Sequence, residues 1–297
     1  MAHIHTHFHE ADRTGRAFTI GIALNLIFVA VEFAAGLRLD SVALISDAGH
    51  NLSDVIGLVL ALLAFKLARI RPTSRYTYGY KKSTVLVSLL NACILLVAVG
   101  AILVESIRKL SDPQPVAGDS VAWVAGVGIV INALTAWLFV RDKEKDLNIK
   151  GAYLHMAADA LVSAGVVVSG LAMRWTGWYA IDPIVGIVIA LVILISTSKL
   201  LFASLRLSMD GVPAGIDIER LRAELLDDLP EIRDIHHLHI WPISTTENAL
   251  TAHIVVRTFD DMARTKRRLR ERLSAHAIQH ITLEFEKEGA PCDNPCS

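Results

Sequence analysis

Between Ser83 and Val104 no residue carries a charge, and the same holds from Ser120 to Val140. An α-helix needs about 20 mostly apolar residues to cross the hydrocarbon core of a bilayer, and runs of 22 and 21 residues meet that length. Lipid offers no partner to an open backbone N–H or C=O, so segments of this kind can only be helices. Two further runs are nearly as clean. Ala17 to Leu37 is interrupted only by Glu32, and Pro183 to Phe202 only by Lys199, whose long stem lets its ammonium reach the interface. Val42 to Phe65 and Ala152 to Met173 are long enough but polar in places: the first holds Asp47, His50 and Asp54, the second His155 and Asp159. The reading is an α-helical membrane protein with six transmembrane helices.

Lys and Arg concentrate in cytoplasmic loops. With the N-terminus inside, the inner segments hold Arg13 and Arg16, then Lys66, Arg69, Arg71, Arg75, Lys81 and Lys82, then Arg141, Lys143, Lys145 and Lys150. The outer loops hold only Arg38, Arg108, Lys109 and Arg174. Both termini are therefore expected in the cytoplasm. The first sixteen residues are polar and His-rich, so no cleaved signal peptide is expected.

After about Leu207 the texture changes. Ile216, Leu221, Leu225, Leu226 and Leu229 mark an amphipathic helix stopped by Pro230. Ile235 to Trp241 and Leu250 to Val256 read as strands, Asp260 to Ala277 as a charged surface helix, and Ile281, Leu283 and Phe285 alternate with polar residues in a last strand. This order, αββαβ, makes a small α+β domain with its helices on one sheet face. The expected division is a head at 1–16, a transmembrane domain at 17–206, a cytoplasmic domain at 207–290 and a tail at 291–297. A net charge of −1 over 297 residues hides two regimes: +4 in residues 1–206 and −5 beyond. With 53% hydrophobic residues and mean hydropathy of +0.46, disorder and a strongly basic nucleic-acid binder are both excluded. Three cysteines are too few for a disulfide scaffold.

His50 and Asp54 are four residues apart and so share one helix face; His155 and Asp159 repeat the spacing in the fifth span. An acidic residue at mid-bilayer costs about 2.5–3.5 kcal/mol on insertion scales, so such groups turn inward and mark a pathway. Two imidazoles and two carboxylates form a four-ligand set suited to Zn²⁺, whereas imidazole disfavours Mg²⁺ and Ca²⁺. Metal ligands must be deprotonated, so such a site can alternate between Zn²⁺ and H⁺. The rival for a single pair is an interhelical hydrogen bond. Asp47 is an additional site residue or an outer-sphere group. Asn25 and Glu32, at i and i+7 in the first span, read equally as packing or as cavity lining.

The segment Ser46-Asp47-Ala48-Gly49-His50-Asn51-Leu52-Ser53-Asp54, the loop Arg75-Tyr76-Thr77-Tyr78-Gly79-Tyr80, and His155-Met156-Ala157-Ala158-Asp159 resemble the cation diffusion facilitators, in particular their zinc-type branch. Leu238-His239-Ile240-Trp241 and Thr251-Ala252-His253 resemble that family's cytoplasmic domain. The resemblance spans about Ala17 to Glu286. It implies a homodimeric Zn²⁺/H⁺ antiporter of the bacterial inner membrane that moves metal out of the cytoplasm by alternating access. Many members carry a Glu shortly after the Gly-Tyr pair; here Lys82 is followed by Ser83 and Thr84, so no role tied to that Glu carries over.

The resemblance also implies a regulatory zinc site on the cytoplasmic domain, drawing on His236, His253, His280, Glu286, Cys292 and Cys296. Strand alternation puts His237 and His239 on one side of their strand and His236 on the other. His3, His5, His7 and His9 form a head expected to be disordered, as a metal collector or as a solvated tail. Three rival readings remain. One is transport of another divalent ion such as Cd²⁺ or Co²⁺. The second is a metal-gated channel or sensor. The third is a membrane metalloenzyme, which normally needs an open coordination position and a nearby general base.

Overall fold

A computed structural model describes residues 3–38, 42–111, 119–260 and 262–289. The chain divides into two compact units, 1–204 and 205–297. The first holds six helices: α1 (His3–Arg38), α2 (Val42–Leu67), α3 (Ser83–Ser111), α4 (Asp119–Phe139), α5 (Leu147–Thr176) and α6 (Ile181–Ser208), the last running on into the second unit. α1 (over Gly15–Ala35), α3 and α6 (over Pro183–Ser208) are long and apolar enough to cross a membrane by length and composition. α4 adds the apolar stretch Gly126–Phe139.

Unlike a water-soluble bundle, this one exposes large apolar side chains and buries polar ones beside an apolar core. Leu26, Ile27, Val31, Val97, Trp137 and Ile195 are exposed, while Asn25, Glu32, Asn51, Asp54, Ser88 and Thr135 are buried. Apolar groups outside and polar groups inside are what a hydrocarbon solvent selects. Trp175, Trp178 and Tyr179 are exposed around the α5–α6 connection, where amphipathic rings suit a membrane interface. Phe18 of α1, Leu58 and Ala61 of α2, Phe139 of α4, and Ala152 and Met156 of α5 form one core cluster. Ala92, Leu95 and Val99 of α3 pack with Leu200 and Ala190 of α6 in two others. Asn25 donates to Gly21 O at 2.9 Å and to Thr135 Oγ1 at 3.2 Å, tying α1 to α4. A Cβ at Gly21 would come within 2.9 Å of Thr135 Cγ2, so the close approach of these helices needs the glycine. Asn25 is thus a packing residue.

Between α2 and α3, Gly79 adopts φ +68° and donates to Tyr76 O at 2.8 Å. A Cβ there would meet Ile70 O at 2.8 Å, so this turn of the Tyr-rich loop excludes any other residue without movement. One expectation is overturned at the N-terminus. The His-rich head is helical from His3, continuous with the first span, because neither Pro nor Gly falls between His3 and Thr14 to break the helix.

The second unit adds α7 (Ile218–Asp228), β1 (Ile232–Pro242), β2 (Asn248–Val256), α8 (Met262–Ala275) and β3 (Ile278–Lys287). Asp217 caps α7 by accepting from Arg220 N at 3.1 Å, and Pro230 follows its end. β1 and β2 form an antiparallel pair; α8 then crosses over so that β3 lies parallel to β2. The sheet order is β1-β2-β3. Leu221 and Leu225 of α7 and Leu269 and Leu273 of α8, each pair one turn apart, pack on Ile235, Ile240, Leu250, Ala252 and Ile254. Both helices therefore cover one face of the sheet, and the opposite face carries His236, His253, Glu284 and Glu286.

Candidate metal centres

Asp54 lies on α2 and His155 and Asp159 on α5, and the bundle core brings them together. The ligating atoms of the three lie within 4.8 Å of one another. His155 Nε2 hydrogen-bonds Asp54 Oδ1, and Asp159 Oδ2 is 3.9 Å from the same nitrogen. Ligands around a tetrahedral Zn²⁺ at 2.0–2.2 Å stand about 3.4 Å apart, so a small closure turns this cluster into a coordination shell. Asp54 is only 3% exposed, and its second oxygen, Oδ2, is buried without a hydrogen-bond partner. A carboxylate oxygen in that position calls for a cation or a proton. His50 sits four residues before Asp54 on α2, one turn along the same face; its side chain, like that of Asp47, lies outside the described residues. Glu32 of α1 accepts from Asn51 Nδ2 at 2.9 Å. It therefore joins α1 to the residue next to His50, which makes it a neighbour of the site as well as a helix tie.

The second cluster stands on the sheet face opposite α7 and α8. His253 Nδ1 is 2.6 Å from Glu286 Oε1, and His236 Nε2 is 3.3 Å from Glu286 Oε2, so one carboxylate spans two imidazoles. Ligand atoms of His236, His253 and Glu286 lie within 4.8 Å of one another. His253 Nε2 is also 3.4 Å from Glu284 Oε2, and His236 Nδ1 3.3 Å from Asp234 Oδ2. Burial pushes the Asp234 carboxyl up, but the Arg222 guanidinium at 2.5 Å, the Ile235 N–H and His236 outweigh it and hold it below the ordinary carboxylate range. Asp234 thus stays ionised beside His236 and can orient that ring, the usual task of a carboxylate behind a metal-binding imidazole.

His237 departs from the expected alternation. The four residues from His236 to His239 face three on β2, His253 to Thr251, so β1 carries a bulge. His237 sits in it with φ +48°. The extra residue puts His236 and His237 on the same side, their ring centroids 5.4 Å apart and that of His237 4.8 Å from His253. It also lets Ile235, Leu238 and Ile240 all face the core. An apolar spacing of three followed by two cannot sit on a regular strand, and that signal in the sequence marks the bulge.

His280 does not join this cluster. It pairs with Ala249, four residues from His253 along β2, about 13 Å at ~3.3 Å per residue, and its Nε2 approaches Glu247 at 3.5 Å. The chain register, fixed by β2 pairing with β3, holds it there. Glu284 and Asp234, which the sequence did not single out, stand nearer the two imidazoles. Cys292 and Cys296 lie outside the described residues.

A helix bundle with apolar groups outward and an imidazole–carboxylate cluster inside, followed by a small α+β domain, defines an integral membrane protein of the metal-transporter class. Residues 18–207 match the family model of the cation efflux transmembrane domain, and residues 213–288 that of the cation efflux protein cytoplasmic domain. The zinc transporter ZitB of Escherichia coli is 34% identical over 300 residues, covering 99% of this chain and 95% of the relative. A cadmium, cobalt and zinc/H(+)-K(+) antiporter of Bacillus subtilis is 32% identical over 97% of this chain and 94% of its own length. The metal cation efflux system protein CzcD of Cupriavidus metallidurans is 32% identical over 97% and 91%. The chain belongs to the cation efflux family, whose members named here are transporters, not enzymes.

Proposed function

We propose that this chain exports Zn²⁺ from the cytoplasm in exchange for protons, by alternating access, with His50, Asp54, His155 and Asp159 binding the transported ion. The observation that carries this reading is the direct meeting of His155 Nε2 and Asp54 Oδ1 between α2 and α5, with Asp159 beside them. The imidazole nitrogen has one lone pair, which takes a proton or a metal but not both. Loading Zn²⁺ therefore expels the proton that joins the two side chains, and reprotonation of the loaded ligands ejects the metal. The zinc and antiporter names of the relatives support the same substrate pair.

The Lys/Arg distribution supports cytoplasmic termini, and the bacterial relatives support the inner membrane. We assign 1–16 to a cytoplasmic head, 17–206 to the transmembrane domain, 207–290 to a cytoplasmic domain that joins two copies as a homodimer, and 291–297 to the tail. The zinc site on that domain comprises His236, His253 and Glu286, with Glu284 and Asp234 supporting them. Its metal ties the domain down and biases the transport cycle.

Proteoliposomes loaded with purified protein test this directly. A pH gradient alone is expected to drive Zn²⁺ uphill, and dissipating the gradient should stop it. Zn²⁺ flux indifferent to the gradient would refute proton exchange. Stronger gradient-driven flux of Cd²⁺ or Co²⁺ than of Zn²⁺ would retain the exchanger and replace its substrate.

A further inference from the structure

Beside the Asp54–His155 pair is a cavity of about 20 Å³, lined by Asp54, Gly57 and Leu58 of α2, Asn91 of α3, and Gly151 and His155 of α5, among others. A water needs about 10–15 Å³ of such space, so the cavity holds one water or one ion. Asn91 is 8% exposed, and its carbonyl oxygen Oδ1 is buried without a hydrogen-bond partner. A buried amide oxygen left in that state is costly, so a donor or a cation is required to satisfy it. The space opposite is kept by glycines. A Cβ at Gly57 would stand 3.8 Å from Asn91 Oδ1; one at Gly151 would stand 4.0 Å from Asn91 Cβ and 3.6 Å from Leu200 Cδ2. A longer side chain at either position would fill the cavity.

The cavity lies to one side of the pair. From Asp54 it runs toward Leu58 and the C-terminus of α2, and from His155 toward Gly151 and the N-terminus of α5. Both ends adjoin the loops rich in Lys and Arg, read above as cytoplasmic.

We propose that Asn91 is a ligand-bearing, specificity-determining residue of the transport pathway: its Oδ1 receives the incoming divalent cation, directly or through one water of its hydration shell, next to Asp54 and His155. The inference rests on the transport reading above and adds a third helix, α3, to the site. A neutral oxygen donor does two things there. It replaces part of the hydration shell without adding charge to a cluster already rich in carboxylates. It also favours the harder Zn²⁺ over the softer Cd²⁺.

The test measures initial rates of Zn²⁺ and Cd²⁺ transport in proteoliposomes for the full-length protein and four variants. Asn91→Leu keeps the size and removes the oxygen. Its KM for Zn²⁺ is expected to rise about tenfold, the lower end of what a supporting partner contributes to metal affinity, with Vmax near normal and the Zn²⁺/Cd²⁺ preference shifted toward Cd²⁺. Asn91→Asp, which retains an oxygen but adds the charge that the amide avoids, should recover part of the KM. Gly57→Ala, which keeps Asn91 and narrows its cavity, should raise KM in the same direction and serves if Asn91→Leu does not fold. Wild-type KM and metal preference in both Asn91→Leu and Gly57→Ala, with Asp54→Asn inactive, would overturn the role of Asn91 alone. Normal transport by Asp54→Asn would remove the transport site itself, and this inference with it.

Discussion

The molecule carries two imidazole–carboxylate clusters built from the same groups in different solvents. Between α2 and α5, Asp54 is 3% exposed and its partner His155 15%. On the sheet, His236, His253 and Glu286 are 20%, 17% and 15% exposed, and flanking Glu284 is 70% exposed. Water close to the sheet cluster solvates its charges whether or not metal is bound, so that cluster can fill and empty at modest cost. Asp54 in the bundle lacks that option, although Asp159 beside it is 16% exposed. Its carboxylate is stabilised only by a proton or by a cation, and each exchange must swap one for the other. On the reading proposed above, the same chemistry would serve a carrier in one place and a sensor in the other because the surroundings differ.

Breaking each cluster at its carboxylate should show this difference at its largest. Even supporting partners contribute ~10–100-fold to metal affinity, so Asp54→Asn should lower gradient-driven Zn²⁺ flux by about 100-fold or more. Glu286→Gln should weaken zinc binding at the sheet by a comparable factor yet change flux only about two- to fivefold, since it touches regulation and not the pathway. Flux in reconstituted vesicles decides. If Glu286→Gln silences transport as fully as Asp54→Asn, the division between carrier and sensor collapses.

The bulge offers an intermediate break. Deleting His237 restores simple alternation in β1, which turns either Leu238 and Ile240 or Ile235 away from the core. Exposing one such side chain costs about 1.5–3 kcal/mol, and the deletion should also abolish the rise in melting temperature expected from Zn²⁺ binding at the proposed sheet site. Thermal unfolding of the full chain with and without Zn²⁺ measures both. A zinc-dependent rise that survives the deletion would show that the sheet cluster does not need the bulge.

Legibility in the sequence differed between the two clusters for a physical reason. The bundle cluster was readable because helix periodicity is rigid: four residues is one turn, so His50 with Asp54 and His155 with Asp159 had to share faces whatever the tertiary detail. Asn91 escaped notice because a lone Asn in an apolar run has no spacing partner; only the cavity and the missing hydrogen bond single it out. The sheet cluster depends on register. His253 meets Glu286 and Glu284 because β3 pairs in parallel with β2 after α8, and no local pattern fixes that offset or removes His280 from the set. Strand alternation separated His236 from His237 and His239 because a single inserted residue reverses every face after it. The helical head had the opposite cause: without Pro or Gly to stop it, α1 extends past its apolar segment.

The smallest effect separates two roles for His237. Its φ of +48° costs an L-residue about 1–2 kcal/mol, which glycine avoids. Glycine also loses more chain entropy on folding, about 0.5–1 kcal/mol, so His237→Gly should leave stability within about 1 kcal/mol of the wild type. His237→Val, β-branched at a positive φ, should be destabilised by about 1–2 kcal/mol or more. The three-residue cluster forms without the His237 ring, since Glu286 already spans His236 and His253. His237→Gly should therefore keep the zinc-induced rise in melting temperature, because the residue serves as the hinge that sets two faces in register. Loss of that rise in a variant of unchanged stability would instead make His237 a fourth ligand, and the sheet cluster would then match the bundle cluster in closing its own shell.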